Sequence, residues 1–179
     1  MTAITVDPAA DSAFDLYEAS VPVFAHALEN LSALLRKAQA HAQSQKLDPA
    51  SLIEAQLAPD MYNLARQVQS AADAAKICTA RLAGQKPPSD PDTETTFDQL
   101  QARIAKTLAF IRSVDPALIS SAIARTIEVP LPSGSKSFTG RGYLLTFCLP
   151  NFFFHAVTAD GILRHKGVEI GKLDYLGTF

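Results

Sequence analysis

The feature that most constrains this chain is a single stripe of apolar residues. Met61, Leu64, Val68, Ala71, Ala75, Cys78 and Leu82 recur at alternating intervals of 3 and 4 residues. That rhythm averages 3.5, so the side chains fall along one side of an α-helix, as in the seam of a helical bundle. A helix with one apolar stripe cannot bury it alone and requires neighbours with matching stripes. The chain supplies them. Phe24, Leu28, Leu31 and Leu35 mark a first long helix, predicted over residues 12–46, with Pro22 kinking it or splitting off its first turns. The Met61–Leu82 stripe predicts a second over 59–83, with Pro59 near its start and Gly84 at its end. Phe97, Leu100, Ile104, Leu108 and Ile111 predict a third over 96–114, capped by Thr95 or Thr96 and stopped at Asp115-Pro116.

Between the second and third helices lies a linker rich in proline and acid, GQKPPSDPDTE. A short helical turn is expected over Ser51–Gln56. Residues 125–139 change character. Thr126 to Val129 alternates, Pro132-Ser133-Gly134-Ser135 has turn chemistry, and Lys136 to Thr139 alternates again. This predicts a β-hairpin kept at an edge by Pro130 and Pro132. A fourth helix is predicted over 142–166, with Leu144, Phe147, Asn151, Phe154, Thr158 and Ile162 continuing the seam, Pro150 bending it and Gly167 ending it. The tail VEIGKLDYLGTF shows no helical period. The fold class that follows is all-α, a four-helix bundle with a small β-hairpin inserted before the last helix, as one domain over 1–179.

Composition narrows the function classes. Sixteen Lys plus Arg against eighteen Asp plus Glu leave a net charge of −2, so there is no basic surplus for nucleic acid. No run of 18 apolar residues predicts a membrane span, and the N-terminus lacks the basic and apolar regions of a signal peptide. Cys78 and Cys148 read as two buried free thiols, which together with these features predicts a cytoplasmic setting. The phosphate-loop, dinucleotide and serine-nucleophile motifs do not occur.

The candidate chemistry is polar residues on apolar faces. His155 lies mid-helix in NFFFHAVTAD, where an imidazole needs a partner, and Asn151 stands one turn before it. The residues read as a hydrogen-bonded buried pair, the alternative being a metal site. Gln67 borders Leu64 and Ala71, and Asp60 faces the same way seven residues earlier, where its charge suits the helix start. His26 and His41 share the first helix too far apart for one metal, and His165 complements the end of the fourth. The run Phe152-Phe153-Phe154 predicts a helix buried on several sides or facing a second subunit.

The stretches LAPDMYNLARQVQSAADAAK, TFDQLQARIAKTLAFI, LPNFFFHAVTADGILRHKGVEIGK and LDYLG closely resemble an uncharacterised bacterial family defined as a domain of unknown function, over nearly all the chain. That family looks like a branch of the DinB-like superfamily. The resemblance implies a four-helix bundle, often dimeric, and a three-histidine metal site. One of those histidines lies on helix two and a His-x-x-x-His on helix four. It also implies, for some members, transferase or isomerase activity dependent on low-molecular-weight thiols. Carried over by position, the three ligands fall at Gln67, Asn151 and His155, so one histidine of three survives. No catalytic residue is assigned.

The leading expectation is therefore a small-molecule-binding bundle with a degenerate metal site. Its pocket is formed by Gln67, Asn151 and His155, with Asp60 and Tyr143 added. No cofactor is expected, and a homodimer is. The rivals are a metal-dependent thiol transferase or isomerase, with nickel, zinc or manganese held through His155, and a purely structural dimerisation module.

Overall fold

The structure, a computed structural model, describes residues 14–131 and 134–178. The protein is mostly helical, with one two-stranded antiparallel sheet. Its long helices are α1 (Val21–Gln45), α3 (Leu64–Leu82), α4 (Phe97–Ser113) and α7 (Leu149–His165), and α2 (Ala50–Ile53) and α5 (Pro116–Ser120) are short. Strands β1 (Thr126–Leu131) and β2 (Gly134–Thr139) lead into α6 (Gly140–Tyr143), and α8 (Lys172–Leu176) ends the fold. Helix α3 packs against both α4 and α7, while α1 packs against α4, α7 and α8. Phe24 of α1 meets Phe152 of α7 edge-on, with ring centroids 5.0 Å apart.

The apolar stripes of α1, α3 and α4 lie in the core as their spacing requires, apart from Met61 and Leu108, which are half-buried. Helix ends differ more. The segment Leu16–Ser20 is a turn, and α1 starts at Val21, so Pro22 occupies a first-turn position where its missing N–H costs nothing. It initiates the helix and does not kink it. The second long helix starts at Leu64 and not at Pro59. Asn63 is its N-cap, its side-chain oxygen accepting the Arg66 amide at 2.9 Å. A captured amide is a stronger start signal than a tolerated proline. At α4, Thr96 and Gln99 make a reciprocal capping box.

The hairpin pairs Thr126 with Thr139 through Leu131 with Gly134. Ile127 and Val129 point into the core, while Glu128 faces out and accepts the hydroxyls of Ser135 and Ser137. The turn residues Pro132 and Ser133 lie outside the described residues. A Cβ at Gly140 would collide with the Ala122 carbonyl oxygen, so glycine lets the hairpin close onto the preceding chain. The proline- and acid-rich linker is pinned down. Asp90 accepts Lys76 at 2.6 Å and also Lys106, and the two ammonium groups hold its carboxyl down to about 2. Arg103, buried, reaches Asp73 at 2.8 Å and both Asp92 and Glu94 at 3.1 Å. Buried cations need such partners to offset lost hydration.

The tail does form a short helix, α8, which its sequence period does not announce. Asp174 caps it by accepting the Gly171 amide at 2.8 Å and pairs with Lys37 of α1. His26 Nε2–H donates to the Leu176 carbonyl at 2.7 Å, so this histidine is a tail anchor.

The largest departure is in the last long helix. It begins at Gly140, and Leu144–Cys148 form a π-turn in which the Leu149 amide bonds to the Leu144 carbonyl, five residues back. Pro150 follows directly. It offers no N–H to the carbonyl four residues earlier, and its ring crowds that carbonyl. The expected bend takes the form of this π-turn. One extra residue enters the turn, so the inward face moves one position along the chain. Cys148, Phe152, Ala159 and Leu163 are buried where Phe147, Asn151, Thr158 and Ile162 were expected to lead. Thr158 and Ile162 remain buried beside them, but Asn151 and Phe154 are exposed and His155 turns inward.

Candidate functional site

Helices α3 and α7 border a cavity of about 340 Å³, open to solvent on one side and closed at one end by the hairpin residues Val129 and Pro130. Helix α3 contributes Arg66, Ser70, Asp73, Ala74, Ile77 and Arg81. Their spacing of 4, 3, 1, 3 and 4 makes a second stripe beside the apolar seam, so both come from the same helical period. Tyr143, Phe147, Cys148, Asn151 and His155 line the opposite wall, and Tyr62 stands at the rim.

His155 is the pivot of one end. Its Nδ1 lies 2.8 Å from Gln67 Oε1. The Gln67 Nε2 donates to the Tyr62 carbonyl at 3.2 Å, which fixes the amide so that its oxygen faces the ring. An amide oxygen can only accept, so Nδ1 carries the proton and Nε2 keeps its lone pair. Gln67 is 1% exposed and holds the ring from behind without lining the cavity. Tyr62 lies nearly parallel to the imidazole at 6.4 Å between centroids, and the Arg66 guanidinium sits over the Tyr62 ring at 5.3 Å. Burial, and then the Arg66 cation, push the His155 pKa below the usual histidine range. The ring is thus neutral at physiological pH.

At the other end, Tyr143 is buried and its hydroxyl accepts a hydrogen bond from Arg81 Nη1 at 3.0 Å. Burial raises the Tyr143 pKa, and the neighbouring Cys148 adds to the rise. Phe147 stacks on Tyr143 at 5.9 Å and forms the apolar floor. Cys78 and Cys148 are both free and buried, and burial, with the neighbouring Cys148 adding to it, pushes the Cys78 thiol well up. Cys78 is thus an unreactive thiol.

Of the five residues singled out from sequence, Tyr143, His155 and Asn151 line this cleft, and Gln67 stands behind His155. The expected Asn151–His155 pair is corrected: the ring binds Gln67 across the helix interface, and Asn151 sits exposed on the rim. The π-turn is the reason, since it rotates Asn151 outward. Asp60 is exposed in the turn before α3 and does not line the cleft. Its assignment assumed a helix already running at Pro59, which Asn63 prevents. Tyr62, Arg66 and Arg81 were not anticipated, although the polar stripe on α3 was readable.

The donor set does not suit a divalent metal. His155 offers one imidazole nitrogen, the Gln67 oxygen is engaged by that ring, and neutral amides are weak ligands for nickel, zinc or manganese. Among the described residues, no group of three or more His, Cys, Asp or Glu side chains could hold a metal ion. No described helix is long and apolar enough to cross a membrane.

This helical frame, with a cleft between its second and last long helices, can be placed by comparison. The profile of a domain of unknown function, DUF1993, matches residues 16–176, and the chain belongs to that family, within the DinB-like superfamily. A solved structure described as a DinB family member from Shewanella denitrificans is 41% identical, with 97% of each chain covered and a TM-score of 0.86. No curated protein matches the chain.

Proposed function

We propose that this chain is a single DinB-like four-helix-bundle domain that binds a small molecule in the α3–α7 cleft, its metal site having been replaced by hydrogen bonding. The observation that supports this reading is the bond from His155 to Gln67, which presents an unprotonated Nε2 beside a polar-rimmed cavity. A neutral imidazole held in one tautomer is suited to accept a hydrogen bond or a proton from a bound molecule. Two free cysteines agree with a cytoplasmic setting. A homodimer is supported by exposed apolar residues on and beside α7. Phe154 and Val157 are 58% and 52% exposed on α7, and Leu57, 44% exposed, lies against Gly161 of the same helix. Exposed apolar patches mark association surfaces.

The test is metal analysis and thermal-shift screening of protein purified without a histidine tag. The expected result is no stoichiometric metal, and stabilisation by at least one member of a panel of metabolites and thiols that His155→Ala abolishes. Stoichiometric nickel, zinc or manganese lost in that variant would overturn the proposal in favour of a metal-dependent enzyme. A variant that changes stability while no ligand binds either protein would favour a structural module.

A further inference from the structure

The charges lining the cleft are not balanced along its length. At the His155 end, the Arg66 cation is neutralised by Asp92. The carboxylate of the cleft wall, Asp73, is taken by Lys76 and Arg103, both at 2.8 Å. Arg81 differs. Its contacts are neutral: it donates to the Tyr143 hydroxyl at 3.0 Å, and its guanidinium lies 5.8 Å from the centre of that ring. Among the described residues, no carboxylate pairs with it. A guanidinium has five N–H donors in a planar fork, and one bond to a phenol leaves most of them unused. Its surroundings are of low polarity, with buried Tyr143, Cys148 and Cys78 on one side and half-buried Ile77 and Phe147 lining the same cavity. An unpaired cation beside such walls gains more from a ligand anion than one in open water.

We propose that Arg81, with Tyr143 beside it, seats the carboxylate of an amphipathic organic acid, whose apolar body runs over Ile77 and Phe147 toward His155. This deepens the small-molecule reading of the cleft and rests on it. A carboxylate matches the fork of Arg81 through two parallel N–H bonds. It carries the single charge that the seat lacks, whereas a phosphate dianion would leave a second charge without a partner. The cavity volume of about 340 Å³ fits a body the size of one phenyl ring and a short chain.

The experiment is an NMR titration of the full chain with 3-phenylpropionate and with its neutral amide, 3-phenylpropionamide, repeated on Arg81→Met. The acid is expected to bind at least tenfold tighter than the amide, shifting the resonances of Arg81, Phe147 and His155. Arg81→Met should bring the acid down to the affinity of the amide. Equal binding of acid and amide within the cleft would overturn the anion seat while sparing the small-molecule reading. Absence of binding in the cleft by both probes overturns the seat as well. The comparison of acid with amide uses the unaltered protein, so it stands even if the variant folds poorly.

Discussion

The hydrogen bond between Gln67 and His155 can be tested by a double-mutant cycle, with Gln67→Leu, His155→Phe and the pair. Gln67→Leu removes two bonds, the one to His155 Nδ1 at 2.8 Å and the one to the Tyr62 carbonyl at 3.2 Å. It leaves the half-buried ring N–H without its acceptor. His155→Phe keeps a ring of similar shape but strands the Gln67 oxygen, on a residue only 1% exposed. Leaving one buried partner unsatisfied costs about 1–3 kcal/mol, while replacing both by apolar groups is nearly neutral for that bond. Each single variant should therefore lose about 1–3 kcal/mol. The double variant should lose less than their sum by about 1–2 kcal/mol. The hydrophobic gain from Leu and the loss of the Tyr62 bond occur in both the single and the double variant, so they cancel in the coupling term. The assay is urea unfolding at neutral pH, read at unchanged m-value so that midpoints report stability. Additivity within about 0.3–0.5 kcal/mol would mean that the bond does not stabilise the fold and would refute the reasoning.

Two further outcomes follow from the same structure. His155 has a folded pKa below its ordinary 6.5, so on acidification the unfolded chain takes up the proton first. Its contribution makes stability fall as pH drops below about 6.5, with the full loss reached below the folded pKa. Thermal midpoints between about pH 8 and about pH 5 should show a smaller decline in His155→Phe than in the parent. Dimerisation through Leu57, Phe154 and Val157 predicts twice the chain mass in light scattering at micromolar concentration. Phe154→Glu should shift that mass toward the monomer, and a monomeric parent would refute the interface.

Much of the architecture was legible because helical periodicity is a local property. The stripes through Leu28 and Leu35, Val68 and Cys78, and Leu100 and Ile111 each follow from spacing alone, and the structure buries these six residues. The capping box at Thr96 and the hairpin alternation of Ile127 and Val129 are local as well. Helix starts were less legible, because Pro59 and Asn63 compete within four residues and the stronger amide acceptor prevails. The tail helix was hidden, since α8 depends on Lys37 and His26 of α1, which lie far away in sequence.

The helical stripes, the hairpin and the presence of Gln67 and His155 as polar residues on apolar faces all follow from local spacing. Which polar residues meet was set by packing between distant segments. The π-turn before Pro150 admits one extra residue, and that rotation carries His155 inward and Asn151 out. Helix packing then sets His155 against Gln67, 88 residues away in the chain, and leaves Arg81 facing the cavity without a carboxylate among the described residues. A one-residue change of register turns a helical face by about 100°, and whether the turn forms depends on how the whole helix packs against α1 and α3.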